Sequence, residues 1–221
     1  MSMSDREITY GEAVREAIAE EMRRDMTVFF MGEDVAAAGG VFKVTVGLLG
    51  EFGPERVRDT PISEAGIMGA GVGAAMTGMR PIVEIMFGDF MTIAMDQVVN
   101  QAAKMCYMTG GQAKVPITIR TTIGAGRSSA AQHSQSLQAW LAHIPGIKVA
   151  IPSTPADLKG LLKTAIRDDN PTIIYEDKMM YNMKGMVPSG EYTIPFGVAD
   201  IKREGTDVTV VATSSMVHTA L

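Results

Sequence analysis

Two side chains in this 221-residue sequence stand where acid–base chemistry is possible. Glu64 closes the run Asp59-Thr60-Pro61-Ile62-Ser63-Glu64, where an extended segment, Val57 to Ile62, gives way to a helix rich in small residues. The first turn of a helix favours a carboxylate in its charged form, and α/β sheets bind ligands beyond the carboxyl ends of their strands. An acid so placed can hold a ligand proton, or it can be an ordinary helix-start acid. His133 follows a polar loop, Gly124 to Gln132, where an imidazole titrates near neutral pH and can shuttle protons. A lone loop histidine is otherwise simply solvated.

Other chemistries are set aside. There is no C-x-x-C pair, no H-E-x-x-H and no G-x-x-x-x-G-K-[ST] loop, and the three histidines, His133, His143 and His218, are far apart in sequence. The stretch from Gly69 to Ala74 matches G-x-G-x-x-A, but it lies inside a helix that has already begun, not at the strand-to-helix turn that dinucleotide binding needs. Gly66, Gly69, Ala70, Gly73 and Ala74 instead share one helical stripe, bare enough for close approach by a second subunit or by the chain's own sheet. A glycine inside a helix costs ~1 kcal/mol relative to alanine, so that stripe needs such a compensating contact.

The elements that must position these groups alternate along the chain. Thr9 and Glu12 form a capping box ahead of the apolar positions Ala13, Val14, Ala17, Ile18 and Met22. Strands are predicted at Val28 to Met31, Pro81 to Met86, Pro116 to Thr122, Lys148 to Ile151 and Thr172 to Tyr175. Between them come an amphipathic segment from Phe42 to Leu49 and helices over Ser63 to Gly78, Met91 to Met108 and Ser136 to His143. A further helix opens at Thr154-Pro155-Ala156-Asp157, with cap, proline and early acid. This rhythm predicts an α/β domain with a mostly parallel sheet covered on both faces. Its extent is residues 1–180. Residues 181–205 read as an irregular and then extended linker, and 206–221, with a strand at Asp207 to Thr213 and a helix starting at Val217, as the beginning of a truncated second domain. The alternative is that this last strand completes the first sheet.

Composition is that of a soluble globular protein, with 46% hydrophobic and 20% charged residues. The net charge of −5, without a basic patch, argues against a nucleic-acid footprint. The single cysteine, Cys106, permits no intrachain disulfide and suits a reducing compartment. Residues 1–11 are polar, unlike a targeting peptide, and no apolar stretch is long enough to span a bilayer, so a cytoplasmic location is expected. The 18 methionines are scattered through apolar segments and read as core gap-fillers.

The string from Asp59 to Gly66 resembles the D-T-P-I-S-E segment of the β subunits of thiamine-diphosphate-dependent 2-oxo acid and acetoin dehydrogenase first components. Gly32-Glu33-Asp34-Val35, Arg80-Pro81-Ile82, Asp96-Gln97-Val98-Val99-Asn100, Ala131-Gln132-His133-Ser134-Gln135, Pro145-Gly146-Ile147-Lys148-Val149 and Lys159-Gly160-Leu161-Leu162 follow in the family's order. The resemblance covers essentially the whole chain. It implies a pyrimidine-type thiamine-diphosphate-binding fold followed by a transketolase-like C-terminal domain, in an α2β2 heterotetramer with the cofactor shared between α and β. It also implies roles. Glu64 would hydrogen-bond the pyrimidine ring and set the tautomer that activates the cofactor, which itself supplies the carbanion chemistry. His133 would assist acyl transfer to the lipoyl group of an acyltransferase component. Met86 and Phe90 would line the cofactor rings, and Ile117, Ala165, Ile166, Asp168 and Asn170 would build a potassium site largely from carbonyl oxygens.

Gly88-Asp89-Phe90 departs from the G-D-G…N pattern that holds magnesium and diphosphate in full thiamine enzymes, which leaves both to the α partner. Glu176-Asp177-Lys178, Tyr181-Asn182-Met183 and Tyr192-Thr193-Ile194-Pro195 resemble the acetoin members more than the pyruvate or branched-chain ones. Two other classes compete with this reading. One is a transketolase-like or deoxyxylulose-phosphate-synthase-like enzyme, against which the missing G-D-G counts. The other is a non-catalytic scaffold subunit, against which the presence of both Glu64 and His133 counts.

Overall fold

A computed structural model describes residues 5–221; residues 1–4, part of the polar N-terminal stretch, lie outside the described residues. The chain opens with β1 (Asp5–Thr9), which pairs antiparallel with β8 (Lys184–Pro188) as a separate ribbon. The main sheet has six parallel strands: β2 (Val28–Gly32), β3 (Val57–Asp59), β4 (Arg80–Ile85), β5 (Thr118–Ile123), β6 (Lys148–Ala150) and β7 (Thr172–Asp177). They lie in the order β3-β2-β4-β5-β7-β6. Strands buried on both faces need apolar residues at nearly every position rather than at alternate ones, and Val28–Gly32 is buried throughout.

Two cores follow from the two faces. On one, α1 (Tyr10–Arg24) and α7 (Pro155–Arg167) pack over Phe30, Ile82 and Ile174. On the other, α3 (Glu64–Met76), α4 (Met91–Asp96), α5 (Ala103–Met108) and α6 (Gln138–Ala142) cover Met31, Val83, Ile85, Ile119 and Ile173. Both predicted caps form. Thr9 Oγ1 accepts from Glu12 N at 3.1 Å while the Glu12 carboxylate accepts from Thr9 N at 2.7 Å, and Thr154 Oγ1 accepts from Asp157 N at 3.0 Å with Pro155 opening the helix. Each such cap satisfies helix-end donors that would otherwise lack partners. The helix expected over Met91 to Met108 forms as α4 and α5 joined by a π-helical turn, Gln97–Ala102, and it ends at Gly110 and Gly111, both at positive φ.

The first core also holds charge. Arg120, in the middle of β5, donates to Glu176 through Nε and Nη2, both at 2.7 Å, and to Glu84 through Nη1 at 2.5 Å. Tyr181 adds its hydroxyl to Glu176 at 2.7 Å. All four side chains are buried, and burial pushes the Glu84 carboxyl up despite the opposing pull of Arg120. Buried charges persist only when paired and hydrogen-bonded to this degree.

Several expectations are corrected. Phe42 to Leu49 is not one amphipathic segment: turns occupy it until α2 (Leu48–Phe52), and Gly39, Gly40, Lys43 and Gly47 take positive φ there. The irregular stretch from Tyr181 to Glu191 contains β8, whose partner β1 lies at the other end of the chain. Tyr192 to Lys202 joins no strand. Asp207 to Thr213 forms neither a strand of its own nor part of the sheet, because nothing offers it a ladder: Val208, Val210 and Val211 are 78%, 67% and 90% exposed. The helix after it does form, as α8 (Met216–Ala220). It is tethered by Ser214 and Ser215 hydroxyls on Asp177 and by the His218 ring against the Ser153 carbonyl at 2.6 Å. The methionines divide: Met22, Met31, Met68, Met91 and Met180 fill the core, while Met26, Met108, Met179, Met186 and others are exposed.

Candidate active site at the carboxyl rim of the sheet

Every parallel strand of the sheet ends on the same side, so the turns that follow β2, β3, β4, β5 and β7 meet on one rim. The turn after β3 carries Glu64. Thr60 N donates to Gly32 O at 2.9 Å, and the Asp59 carboxylate accepts from Ala36 N at 2.6 Å and Ala37 N at 3.1 Å. These bonds lock the ends of β2 and β3 together and fix the entry into α3. The cap residue Ser63 makes no side-chain bond to the helix, so it leaves the first-turn amides of α3 uncapped beside Glu64. Glu64 is 6% exposed, and its carboxylate forms no hydrogen bond or ion pair among the described residues. Glu33, in the turn after β2, is its electrostatic neighbour: burial first, then the charge of Glu64, raises the Glu33 carboxyl above its ordinary range. Sequence reading passed over Glu33, although it lies within the Gly32-Glu33-Asp34 string.

The turns after β4 and β5 form a second cluster. Thr122 Oγ1 donates to Met86 O at 2.8 Å. A side chain at Gly88 would come within 2.9 Å of the Thr122 carbonyl, so only glycine lets the turn Gly88–Phe90 sit against the end of β5. The imidazole of His133 stands edge-to-face on Phe87, with centroids 4.7 Å apart, and on Phe90, at 5.2 Å. Asp89 Oδ1 accepts from Gln135 N at 3.2 Å and from Gln135 Nε2 at 2.8 Å. From the end of β7, the ammonium of Lys178 donates to the carbonyl of His133 and lies 5.4 Å from the Phe87 ring centre. Phe90 and His133 are thus brought together, with Met86 just before them at the end of β4, while Glu64 lies three strand positions from β5, roughly 14 Å at ordinary sheet spacing. A ligand with two linked rings spans such a gap; a direct side-chain hydrogen bond does not.

Among the described residues, five buried side-chain polar atoms lack a protein partner: Thr60 Oγ1, Asp89 Oδ2, Thr121 Oγ1, His133 Nδ1 and Gln138 Oε1. Four of them belong to the carboxyl half of the sheet or to the turns beyond it, and Gln138 opens α6, whereas buried polar groups are ordinarily paired. With the unpartnered Glu64, they suit an aromatic nitrogen heterocycle that brings its own donors and acceptors. No group of three His, Cys, Asp or Glu side chains placed to hold a metal occurs among the described residues.

The stripe Gly66, Gly69, Ala70, Gly73 and Ala74 faces outward rather than into the sheet. The sheet is met by Gly71, where an added Cβ would come within 2.7 Å of Val83. His143 is exposed, beside Trp140 in a shallow apolar groove with Met95 and Ile144. The residues named for potassium lie at the opposite, amino rim. Thr172 N donates to Ile117 O at 3.0 Å, while Arg80 donates to Ile166 O at 2.9 Å and Asp168 O at 2.7 Å.

Residues 6–184 match the family model described as transketolase, pyrimidine binding domain. The chain is 55% identical to the acetoin:2,6-dichlorophenolindophenol oxidoreductase subunit beta of Bacillus subtilis, over 98% of this chain and 67% of that one. It belongs to the β-subunit family of thiamine-diphosphate-dependent dehydrogenase components. Other members of that β-subunit family are similar to it as well. The 2-oxoisovalerate dehydrogenase subunit beta of Bacillus subtilis is 49% identical over 97% of this chain and 66% of its own. The pyruvate dehydrogenase E1 component subunit beta of Rhizobium meliloti is 54% identical over 93% and 45%. The chain therefore spans about two thirds, or less, of the length of these curated relatives. A solved split-gene transketolase, described as an inactive beta4 tetramer, superposes with a TM-score of 0.76 at 22% identity, over 96% of this chain and 65% of that one, and shares the fold.

Proposed function

We propose that this chain is the β half of an acetoin or 2-oxo acid dehydrogenase component, working with an α partner in an α2β2 assembly. The observation that carries the reading is Glu64: a buried carboxylate without a protein partner, in the first turn of a helix at the carboxyl rim. When bound, thiamine diphosphate supplies the carbanion chemistry by which a ketone or 2-oxo acid is cleaved. Glu64 holds the proton on the pyrimidine ring, Met86 and Phe90 wall the rings from water, and His133 serves the acyl transfer to the lipoyl group of an acyltransferase component. Magnesium and diphosphate fall to the α partner, in keeping with Gly88-Asp89-Phe90 and with the absence of a metal-holding acidic group among the described residues. The outward-facing small-residue stripe on α3 supports a close subunit contact.

The same proposal takes residues 1–180 as the pyrimidine-type domain, 181–205 as linker and 206–221 as the start of a transketolase-type C-terminal domain, in a cytoplasmic protein. No helix among the described residues is long and apolar enough to cross a membrane. A potassium ion at Ile117, Ala165, Ile166, Asp168 and Asn170 is supported by the Ile117 and Ala165 carbonyls, which converge on the Thr172 hydroxyl at 3.4 and 3.5 Å. Arg80, which takes two of the other carbonyls, and Lys148, paired with Asp168, weigh against it.

The test is Glu64→Gln in the complex with its α partner. Turnover is expected to fall by about 100-fold or more, the size of a lost acid–base function, with assembly by gel filtration unchanged. Unaltered turnover removes Glu64 and the reading with it. Comparing acetoin, pyruvate and branched 2-oxo acids on the same preparation assigns the substrate.

A further inference from the structure

We propose that Lys178 is a positioning residue for His133, clamping the loop Gly124–Gln135 so that the imidazole is presented in one orientation. This rests on the reading of His133 as the acyl-transfer histidine. Lys178 is 1% exposed, and burying an ammonium is costly unless it is well paired. Its one hydrogen-bond acceptor among the described residues is the backbone carbonyl of His133. The rest of its compensation is the face of Phe87 and the nearby charges of Asp89 and Asp177, and burial still holds its pKa below the ordinary lysine range. Filling this volume would need only an apolar side chain of similar length. A lysine here does something further: it fixes one carbonyl in the loop.

The geometry around that carbonyl extends the argument. Phe87, which lies under the Lys178 ammonium, also packs edge-to-face on the His133 ring. Backbone and imidazole of the same residue are thus held through one aromatic ring. Two residues on, Gln135 is tied to Asp89 by its backbone and its side chain, and Gly124 N donates to Gln135 O at 3.3 Å, closing the loop at its base. Between these ties, Gly124, Gly126, Ser128 and Ala130 all take positive φ, which is unfavourable for the serine and the alanine. The loop holds no regular structure of its own before the short turn Ala131–His133. Its shape therefore depends on the clamps at its end, and Lys178 is the one anchored in the central sheet.

The experiment is a double-mutant cycle on the complex with its α partner, with a lipoylated acyltransferase domain as acceptor. Lys178→Met is expected to slow acyl transfer by about 10-fold, the effect of losing one charge-assisted bond. In a His133→Ala background the same change is expected to alter the residual rate by less than about 2-fold, since a residue acting through His133 has nothing left to position. A loss that persists in that background, or no loss in the wild type, overturns the clamp. Should Lys178→Met fail to assemble, the exposed Gln135→Ala decides, with an expected fall of about 3-fold that vanishes in the His133→Ala background. A fall that persists, or none at all, again overturns it. Loss of turnover in Glu64→Gln with wild-type transfer in Lys178→Met sinks the clamp alone; full turnover in Glu64→Gln sinks both.

Discussion

The two rims of the parallel sheet are built from the same kinds of residue and end in opposite conditions. At the amino rim, the Arg80 guanidinium reaches two carbonyls and the Asp169 carboxylate, Lys114 takes the other oxygen of Asp169 at 2.6 Å, and Asn170 and Lys148 share Asp168. None of the buried partnerless atoms lies there. At the carboxyl rim, Glu64, Asp89 Oδ2 and His133 Nδ1 are buried or nearly so and lack partners. A chain that satisfies its polar groups so fully at one rim has the means to do so at the other. On the proposed function, the groups left open at the carboxyl rim are matched to something that is not this chain, and the difference separates residues that hold the fold from residues proposed to serve a ligand.

That contrast can be broken by mutation, with the largest effect expected at Glu64. Glu64→Gln should remove at least two orders of magnitude of turnover without lowering stability to denaturant, because a buried carboxylate with no partner among the described residues costs the fold rather than supporting it. Arg80→Met should do the reverse. It leaves two carbonyls without their donor, while Lys114 still holds Asp169, and should cost about 2 kcal/mol, with turnover per folded complex kept. Repeating that unfolding measurement with sodium in place of potassium tests the proposed cation, because a bound ion raises stability by mass action. Loss of turnover together with stability at Arg80 would erase the distinction between the rims.

Smaller effects sharpen the picture within α3. Gly71→Ala should destabilise by about 1–3 kcal/mol through overpacking on Val83 and Ile117. Gly73→Ala, with nothing within 4 Å, should stabilise the isolated chain by up to ~1 kcal/mol, and should weaken assembly if that face meets a partner. The smallest effect is electrostatic. Because Glu33 is raised in the fold, the folded chain keeps a proton that the unfolded chain has lost, over the window between the ordinary and the raised value. Stability should fall as pH rises through that window, and Glu33→Gln should flatten the fall in unfolding curves taken from about pH 4 to 7.

How much of this was legible depended on whether the deciding partner was near in sequence. The caps of α1 and α7 are local, within four residues, and both could be read directly. The β1–β8 ribbon pairs Asp5 with Pro188, and nothing in either segment announces the other. The run from Asp207 to Thr213 has every local mark of a strand yet stays open, since a strand needs a ladder as well as a propensity. At the candidate site, the segments that carry Glu64 and His133 could be found from their motifs. Glu33 and Lys178 could not, since an acid or a lysine beside a turn looks solvated until the sheet brings the turns together. The Glu84, Arg120 and Glu176 trio left a fainter trace: charges of opposite sign inside three strands, which are best met when those strands lie side by side.

The two lateral strands of the sheet, β3 and β6, are only three residues long, against five or six for the four between them. So short a border offers another polypeptide few free amide and carbonyl groups to zip onto, which guards against runaway sheet extension. Association across the main sheet's borders is thereby disfavoured, which leaves its helix surfaces and turns, where side-chain shape can choose the company it keeps.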